Sequence, residues 1–193
     1  MEAMMASLSD PTSICADFEA IVAATSTMFD ERDVVELRAI FSRPRKRIAS
    51  GYFDALHRED LARAAVRLND DGGQVYVTLN PVTPDLLARA SNRVIDNAQG
   101  TTGDGEIVRR RYVLIDVDPV RPRDTSATDA MKADALAVMR AVVDYLASVA
   151  VFPTLRCDSG NGYHAMLAVD LANDAESTDL VKRFLTALAR GFD

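Results

Sequence analysis

Asp116 and Asp118 stand two residues apart in Val113-Leu114-Ile115-Asp116-Val117-Asp118, a run rich in strand-forming side chains. Residues two apart on a strand share a face, so Val113, Ile115 and Val117 point one way and Leu114, Asp116 and Asp118 the other. The two aspartate Cα atoms then lie roughly 6.5–7 Å apart. Two carboxylates on one side of a buried strand repel each other and are costly to desolvate. A divalent cation relieves both problems; Mg²⁺ and Mn²⁺ favour hard oxygen ligands and keep positions for water and phosphate oxygens. On its own, an Asp-x-Asp pair is more often a strand end that faces water.

A second group of candidates follows in Asp158-Ser159-Gly160-Asn161-Gly162-Tyr163-His164. A glycine-rich turn lets backbone N–H groups approach an anion, and Ser159 and Asn161 add side-chain hydrogen bonding. In isolation the same residues make an ordinary hairpin connection. His164 carries more information. Tyr163, Ala165, Leu167, Val169 and Leu171 form the apolar face of their strand, which leaves His164 on the opposite one. Two basic clusters are also present: Arg43, Arg45, Lys46 and Arg47, then Arg109, Arg110 and Arg111, with Arg121 and Arg123 close behind. Each alone is more often a solvated loop or strand edge than a binding site.

The elements that must position these groups read as an α+β protein. Hydrophobic patterning predicts a helix over 13–28, a strand over 34–41, a helix over 58–68, a strand over 75–79 and a short helix opened by Pro84. The polar, glycine-rich stretch 96–105 reads as a loop. Thereafter come a strand over 111–117, a long helix that Ser126 and Asp129 open as a capping box, a strand over 154–157, and a strand over 163–171. Asn173 and Glu176 mark a last helix, with Leu180, Val181, Phe184, Leu185 and Leu188 on its buried face. The order β-α-β-β-α is one strand short of the ferredoxin-like unit, the layout of the RNA-recognition motif. In that layout the first and third strands are central neighbours, the fourth flanks the first, and both helices cover one face. The sequence thus divides into an N-terminal αβ module, residues 1–105, and an RNA-recognition-motif-like module, residues 106–193, packed as one catalytic domain. The ending at Gly191-Phe192-Asp193 reads as a boundary placed before the last strand.

Composition narrows the setting. The 193 residues are 48% hydrophobic and 26% charged, ordinary for a soluble chain. No stretch approaches the roughly 20 apolar residues of a membrane span, and residues 1–10 lack a secretory pattern. Cys15 and Cys157 have no metal-ligand spacing, so a reduced, cytoplasmic protein is expected. The formal charge of −7 weighs against a nucleic-acid partner, although a basic footprint can be local.

Taken together, Tyr112-Val113-Leu114-Ile115-Asp116-Val117-Asp118-Pro119 resembles the hydrophobic-Asp-x-Asp motif of archaeo-eukaryotic primases, and Ser159-Gly160-Asn161-Gly162-Tyr163-His164 resembles their serine–histidine motif. The likeness is closest to the bifunctional primase-polymerases of phages, plasmids and other mobile elements. It extends to Val75-Tyr76-Val77-Thr78-Leu79-Asn80-Pro81, to Thr101-Thr102 leading to the arginine cluster, and to Ser126-Ala127-Thr128-Asp129. The resemblance implies that Asp116 and Asp118 bind two catalytic Mg²⁺ or Mn²⁺ ions, and that His164 and Ser159 hold the phosphates of an incoming NTP or dNTP. The metals would activate a 3′-hydroxyl and neutralise the triphosphate during in-line displacement of pyrophosphate. It further implies a DNA template and primer and a replicative helicase or ATPase as partners. Arg109, Arg110 and Arg111 would contact nucleotide or template, and Asn80 and the loop near Thr101 would line the cleft. The family's third carboxylate, on a strand after the second helix, has no counterpart; Asp193 exits a helix and Asp170 lies at the far end of its strand. Weak metal binding and poor polymerisation are therefore expected.

Two other classes compete. A non-catalytic binding module would stack bases on exposed aromatics of the central strands, but Tyr163 faces the apolar side. A replication-initiator phosphodiesterase needs clustered histidines, whereas His57 and His164 are distant in sequence. A degenerate relative that binds nucleotide without turnover is the third possibility.

Overall fold

A computed structural model describes residues 17–122 and 125–192. Cys15, Arg123, Asp193 and the start of the helix expected over 13–28 lie outside the described residues. Among the described residues are four α-helices and two antiparallel sheets of four and three strands, an α+β protein. No helix among them is long and apolar enough to cross a membrane. The chain forms two compact units and passes between them more than once. The first comprises the chain up to Arg32, Glu36–Val77 and Leu86–Thr101; the second comprises Asp33–Val35, Thr78–Asp85 and the chain from Thr102 onward.

The first unit contains α1 (Phe18–Met28), β1 (Val34–Phe41) from Glu36 onward, β2 (Arg47–Asp54), α2 (Arg58–Asp70), β3 (Gln74–Val77) and β4 (Val94–Ile95), with sheet order β3-β1-β2-β4. The segment after Pro84 is a 3₁₀ turn, Pro84–Arg89, in place of an α-helix. In α2 the apolar stripe Leu61, Ala62, Ala65 and Leu68 is buried, and Gly72, at φ +82°, takes the left-handed turn that ends the helix. Leu37, Ala39 and Phe41 are buried along β1, and Glu36 on the alternate face is buried too. Its carboxylate accepts two bonds from Arg38, at 3.2 and 2.7 Å, and one from Ser50 Oγ at 2.5 Å. Those donors answer the desolvation of a buried charge.

At the entry to α2, His57 Nδ1 lies 2.7 Å from Asp54 Oδ1. The hydrogen bond to Asp54 raises the imidazole above its ordinary value. Burial opposes ionisation of Asp54, but bonds from His57, Asn92 and the Leu56 amide outweigh it and lower the carboxyl. A raised histidine stabilises the fold fully below its unfolded pKa and loses that contribution as pH rises through the folded value. The His57 ring, followed by NMR, should therefore titrate above about 6.5 and fall back towards that value in Asp54→Asn.

The second unit holds β5 (Arg109–Val117), α3 (Asp129–Ser148), β6 (Leu155–Asp158), β7 (Tyr163–Ala172) and α4 (Ala175–Phe192), in sheet order β5-β7-β6. β7 is the central strand and pairs antiparallel with both neighbours. Ile115, Ala165 and Leu167 join Met139, Val142, Leu146 and Leu188 in one buried cluster, with Val117, Tyr163, Phe184, Leu185 and Phe192 packed on it. The odd-numbered residues of β5 and β7 around the pairing thus face the helices.

Two helix starts differ from the sequence expectation. The N-cap of α3 is Thr128, whose Oγ1 accepts from the Met131 amide at 3.3 Å, because the helix begins at Asp129. At α4 the capping carboxylate is Asp174, accepting from the Ser177 amide at 2.8 Å; Asn173 instead donates to the Asp104 and Ile107 carbonyls. Leu180, expected in the core, is 47% exposed, whereas Ser177 is buried. The stripe against the core runs through Ser177, Phe184 and Leu188, and Leu180 sits about 60° round the helix from its centre.

The outer edge of β5 is engaged in part. Asn80 Oδ1 accepts from the Arg111 and Tyr112 amides at 2.7 and 3.0 Å, and its Nδ2 donates to the Tyr112 carbonyl at 3.5 Å. Its amide does for Tyr112 what a neighbouring strand would do. From Leu114 onward no strand among the described residues pairs with that edge, and a groove of about 650 Å³ runs beside it, lined by Val138, Val142, Leu185, Leu188 and Phe192. Leu146, 1% exposed at the centre of the cluster, tests the packing. Leu146→Ala should cost about 2–5 kcal/mol, read as a lower urea midpoint at unchanged slope.

Candidate functional site

Antiparallel register brings the chemistry together. Asp116 and His164 are direct partners across β5 and β7, and Cys157 on β6 is the partner of His164 on its other side. Asp116, His164 and Cys157 therefore form a row across the sheet, on the face turned away from α3 and α4. Asp116 Oδ1 lies 3.2 Å from His164 Nε2, with the aspartate side chain 52% exposed and the imidazole 29%. Burial pushes the Cys157 thiol above its ordinary range, so it is a protonated thiol at neutral pH.

Asp118, just beyond the end of β5, is held from two sides. A Cβ on Gly162 would lie 2.3 Å from the Val117 carbonyl oxygen and 2.5 Å from Asp118 Oδ1. Only glycine lets the turn after β6 close against the aspartate. On the other side Arg121 Nη2 approaches Asp118 Oδ2 at 3.3 Å, while Arg121 Nη1 donates to the Thr125 carbonyl at 2.8 Å.

The turn itself is internally bonded. The Ser159 amide donates to the Gly162 carbonyl at 3.0 Å, the Gly160 amide to Asp158 Oδ1 at 2.7 Å, and the Gly162 amide to Ser159 Oγ at 3.0 Å. Gly160 has φ +91°, the conformation that favours glycine here. Asn161 Oδ1 accepts from the Ala127 amide at 3.0 Å, and Lys132 Nζ reaches Asp158 Oδ2 at 2.7 Å. The bond to Asp158 raises the Lys132 ammonium above its ordinary value. These bonds use three amides of the turn. The Asn161 backbone amide, the Ser159 hydroxyl hydrogen and Asn161 Nδ2 are the donors they leave over.

The arginine triplet is occupied within the second unit. Arg109 pairs with Asp170, Arg110 Nη2 donates to Thr178 Oγ1 at 2.8 Å, and Arg111 Nη1 meets the buried Asp33 Oδ2 at 2.8 Å. In the first unit, Arg43, Arg45 and Lys46 are exposed in the loop between β1 and β2. Arg47 pairs with Asp96 at 2.6 Å and stacks 3.5 Å over the Phe41 ring. Asn80 belongs to the second unit and Thr101 to the first.

Sequence reasoning missed Lys132 as the partner of Asp158, and Cys157 as the third member of the row. The second had a signal: a four-residue turn that pairs Asp158 with Tyr163 must pair Cys157 with His164. Among the described residues no three carboxylate, imidazole or thiol groups converge into a closed metal site. What the site offers a metal is the oxygen pair Asp116 and Asp118, both about half exposed. That donor set suits a hard cation that keeps much of its water.

Compared with protein-family models, curated proteins and solved structures, the chain gives no match. The contact between the turn and Asp118 is directly testable. Gly162→Ala should destabilise the second unit by about 1–3 kcal/mol and displace the amide signals of Val117 and Asp118. Unperturbed signals would mean that the turn stands off from the aspartate.

Proposed function

We propose that this chain is the catalytic core of a metal-dependent nucleotidyltransferase of the primase-polymerase kind. The observation that carries this reading is the register pair Asp116 and His164 on one open sheet face, with Asp118 two residues on and closed in by a glycine turn. The connectivity of the second unit and its strand order β5-β7-β6 support an RNA-recognition-motif-like unit. The free β5 edge from Leu114 then stands where the fourth strand of that layout would pair.

In this reading Asp116 and Asp118 would hold Mg²⁺ or Mn²⁺, which suits them as hard oxygen donors with open space in front. A bound metal would supply the charge that offsets a triphosphate and the activation of a 3′-hydroxyl. His164 shares the open face with Asp116, so a phosphate oxygen arriving there meets an imidazole N–H. The Asn161 backbone amide, the Ser159 hydroxyl and Asn161 Nδ2 are the turn's remaining donors for the same phosphates. Because Arg109, Arg110 and Arg111 are engaged internally, contact with a DNA template or primer falls to exposed cations such as Arg43, Arg45 and Lys46. Substrates would be NTP or dNTP on a DNA template and primer, with a helicase or ATPase as the replicative partner.

A second reading, nucleotide binding without turnover, is favoured by the absence of a three-donor cluster among the described residues. Labelled dNTP incorporation on a primed template with Mn²⁺ separates the two. The enzyme reading expects incorporation above background, weak in absolute rate, and its loss in Asp116→Asn/Asp118→Asn. Mn²⁺-dependent dNTP binding with incorporation at background in both proteins would favour the second reading. Neither binding nor incorporation would defeat both.

A further inference from the structure

Both carboxylates of the pair have a partner in the free protein, and the two partners differ in kind. Asp116 faces an imidazole held in the sheet, whereas Asp118 faces a permanent cation carried on a loop. Arg121 follows Asp118 by three residues, within Pro119-Val120-Arg121-Pro122. The fixed φ of the two prolines limits the paths by which the loop can leave β5, and here it turns the guanidinium back over the aspartate.

The contact is incomplete. A guanidinium can grip a carboxylate through two parallel N–H bonds, but Arg121 makes one bond to Asp118, at 3.3 Å. Its second bond goes to the Thr125 carbonyl at 2.8 Å, and its Nε is buried with no acceptor. A buried donor without an acceptor is costly, so this arrangement neutralises Asp118 without satisfying Arg121. An anion with several oxygens placed at this position would satisfy the arginine better than the aspartate does.

We propose that Arg121 is a resident counter-cation for Asp118, one that a divalent metal must displace, and that the displaced guanidinium then binds the polyphosphate of the incoming nucleotide. The proposal rests on the reading of Asp116 and Asp118 as metal ligands. It gives Arg121 two effects of opposite sign. Against bare metal, Arg121 competes for Asp118 and weakens binding. Against metal with nucleotide, it contributes a phosphate contact and strengthens binding. A residue that merely braces the loop would move both affinities in one direction.

The test uses the full chain at low ionic strength, with free Mn²⁺ followed by electron paramagnetic resonance, alone and then with dATP. Removing one exposed ion pair should tighten Mn²⁺ binding by about two- to fivefold in Arg121→Gln, with the gain shrinking as salt is raised. With dATP present the same variant should bind the nucleotide more weakly than wild type. Arg121→Lys keeps the charge but loses the fork, so it should compete with Mn²⁺ like wild type yet hold dATP less well. A thermal melt shows whether Arg121→Gln is folded; if it is not, the lysine variant's unchanged Mn²⁺ and weakened dATP affinities carry the test. Equal or weaker Mn²⁺ binding by folded Arg121→Gln, with binding lost in Asp116→Asn/Asp118→Asn, would overturn the counter-cation role and leave the metal site standing. Undiminished Mn²⁺ binding by that double variant would overturn the metal site, and the counter-cation role with it.

Discussion

Antiparallel pairing of β5 with β7 decides which side chains can meet, because a strand's faces alternate with every residue. A slip of one position would turn Asp116 towards the helices and bring Ile115 to the open face. The core resists that slip. Ile115 and Ala165 are register partners, as are Val113 and Leu167, and all four are buried. The pairing shifts register between Arg110 and Tyr112, at the end away from the site, so the irregularity is absorbed before the chain reaches Leu114. Every further feature of the site depends on this choice: Asp116 opposite His164, Cys157 beyond it, and the turn after β6 brought against Asp118.

A second constraint is electrostatic. Carboxylates so close together are tolerated because they are about half exposed and each has a polar partner, His164 for Asp116 and Arg121 for Asp118. The chain's other cations are used with similar economy. Arg111 neutralises the buried Asp33, and Arg38 and Ser50 answer the buried Glu36. A protein of net charge −7 whose cations nearest the site, Arg121 and Lys132, are engaged in internal pairs presents little general attraction to phosphate there. At the open face the charged groups are few and at defined places: Asp116, Asp118 and their partners His164 and Arg121.

Legibility from the sequence follows the range of the interaction. Strand parity is local, so the placement of Asp116 and His164 on the face opposite Ile115 and Ala165 could be read from alternation alone. The helical stripe of α3 was equally plain, with Met139, Val142 and Leu146 buried. Capping depends on where a helix begins to within a residue, which is why Thr128 and Asp174 displace Ser126 and Asn173 from that role. The two-residue β4 is too short to show a period. Pairings between distant segments left no local trace: neither Asp33 as the partner of Arg111 nor Asn80 as a surrogate strand for Tyr112 could be inferred from neighbours. An arginine triplet looks the same in sequence whether it awaits a phosphate or already holds carboxylates and a hydroxyl of its own chain.

The turn after β6 shows how closely the site's parts depend on one another. Asp158 accepts from the Gly160 amide with one oxygen and from Lys132 with the other, and Asn161 accepts from the Ala127 amide ahead of α3. The turn is thereby fastened to the first turn of α3 and to the segment leading into it. That segment also contains Thr125, whose carbonyl holds Arg121. Arg121 bonds Thr125 through Nη1 and Asp118 through Nη2, so one guanidinium spans this stretch and the aspartate. The stretch from Thr125 to α3 thus touches both the turn, through the Ala127 amide, and Arg121, through the Thr125 carbonyl.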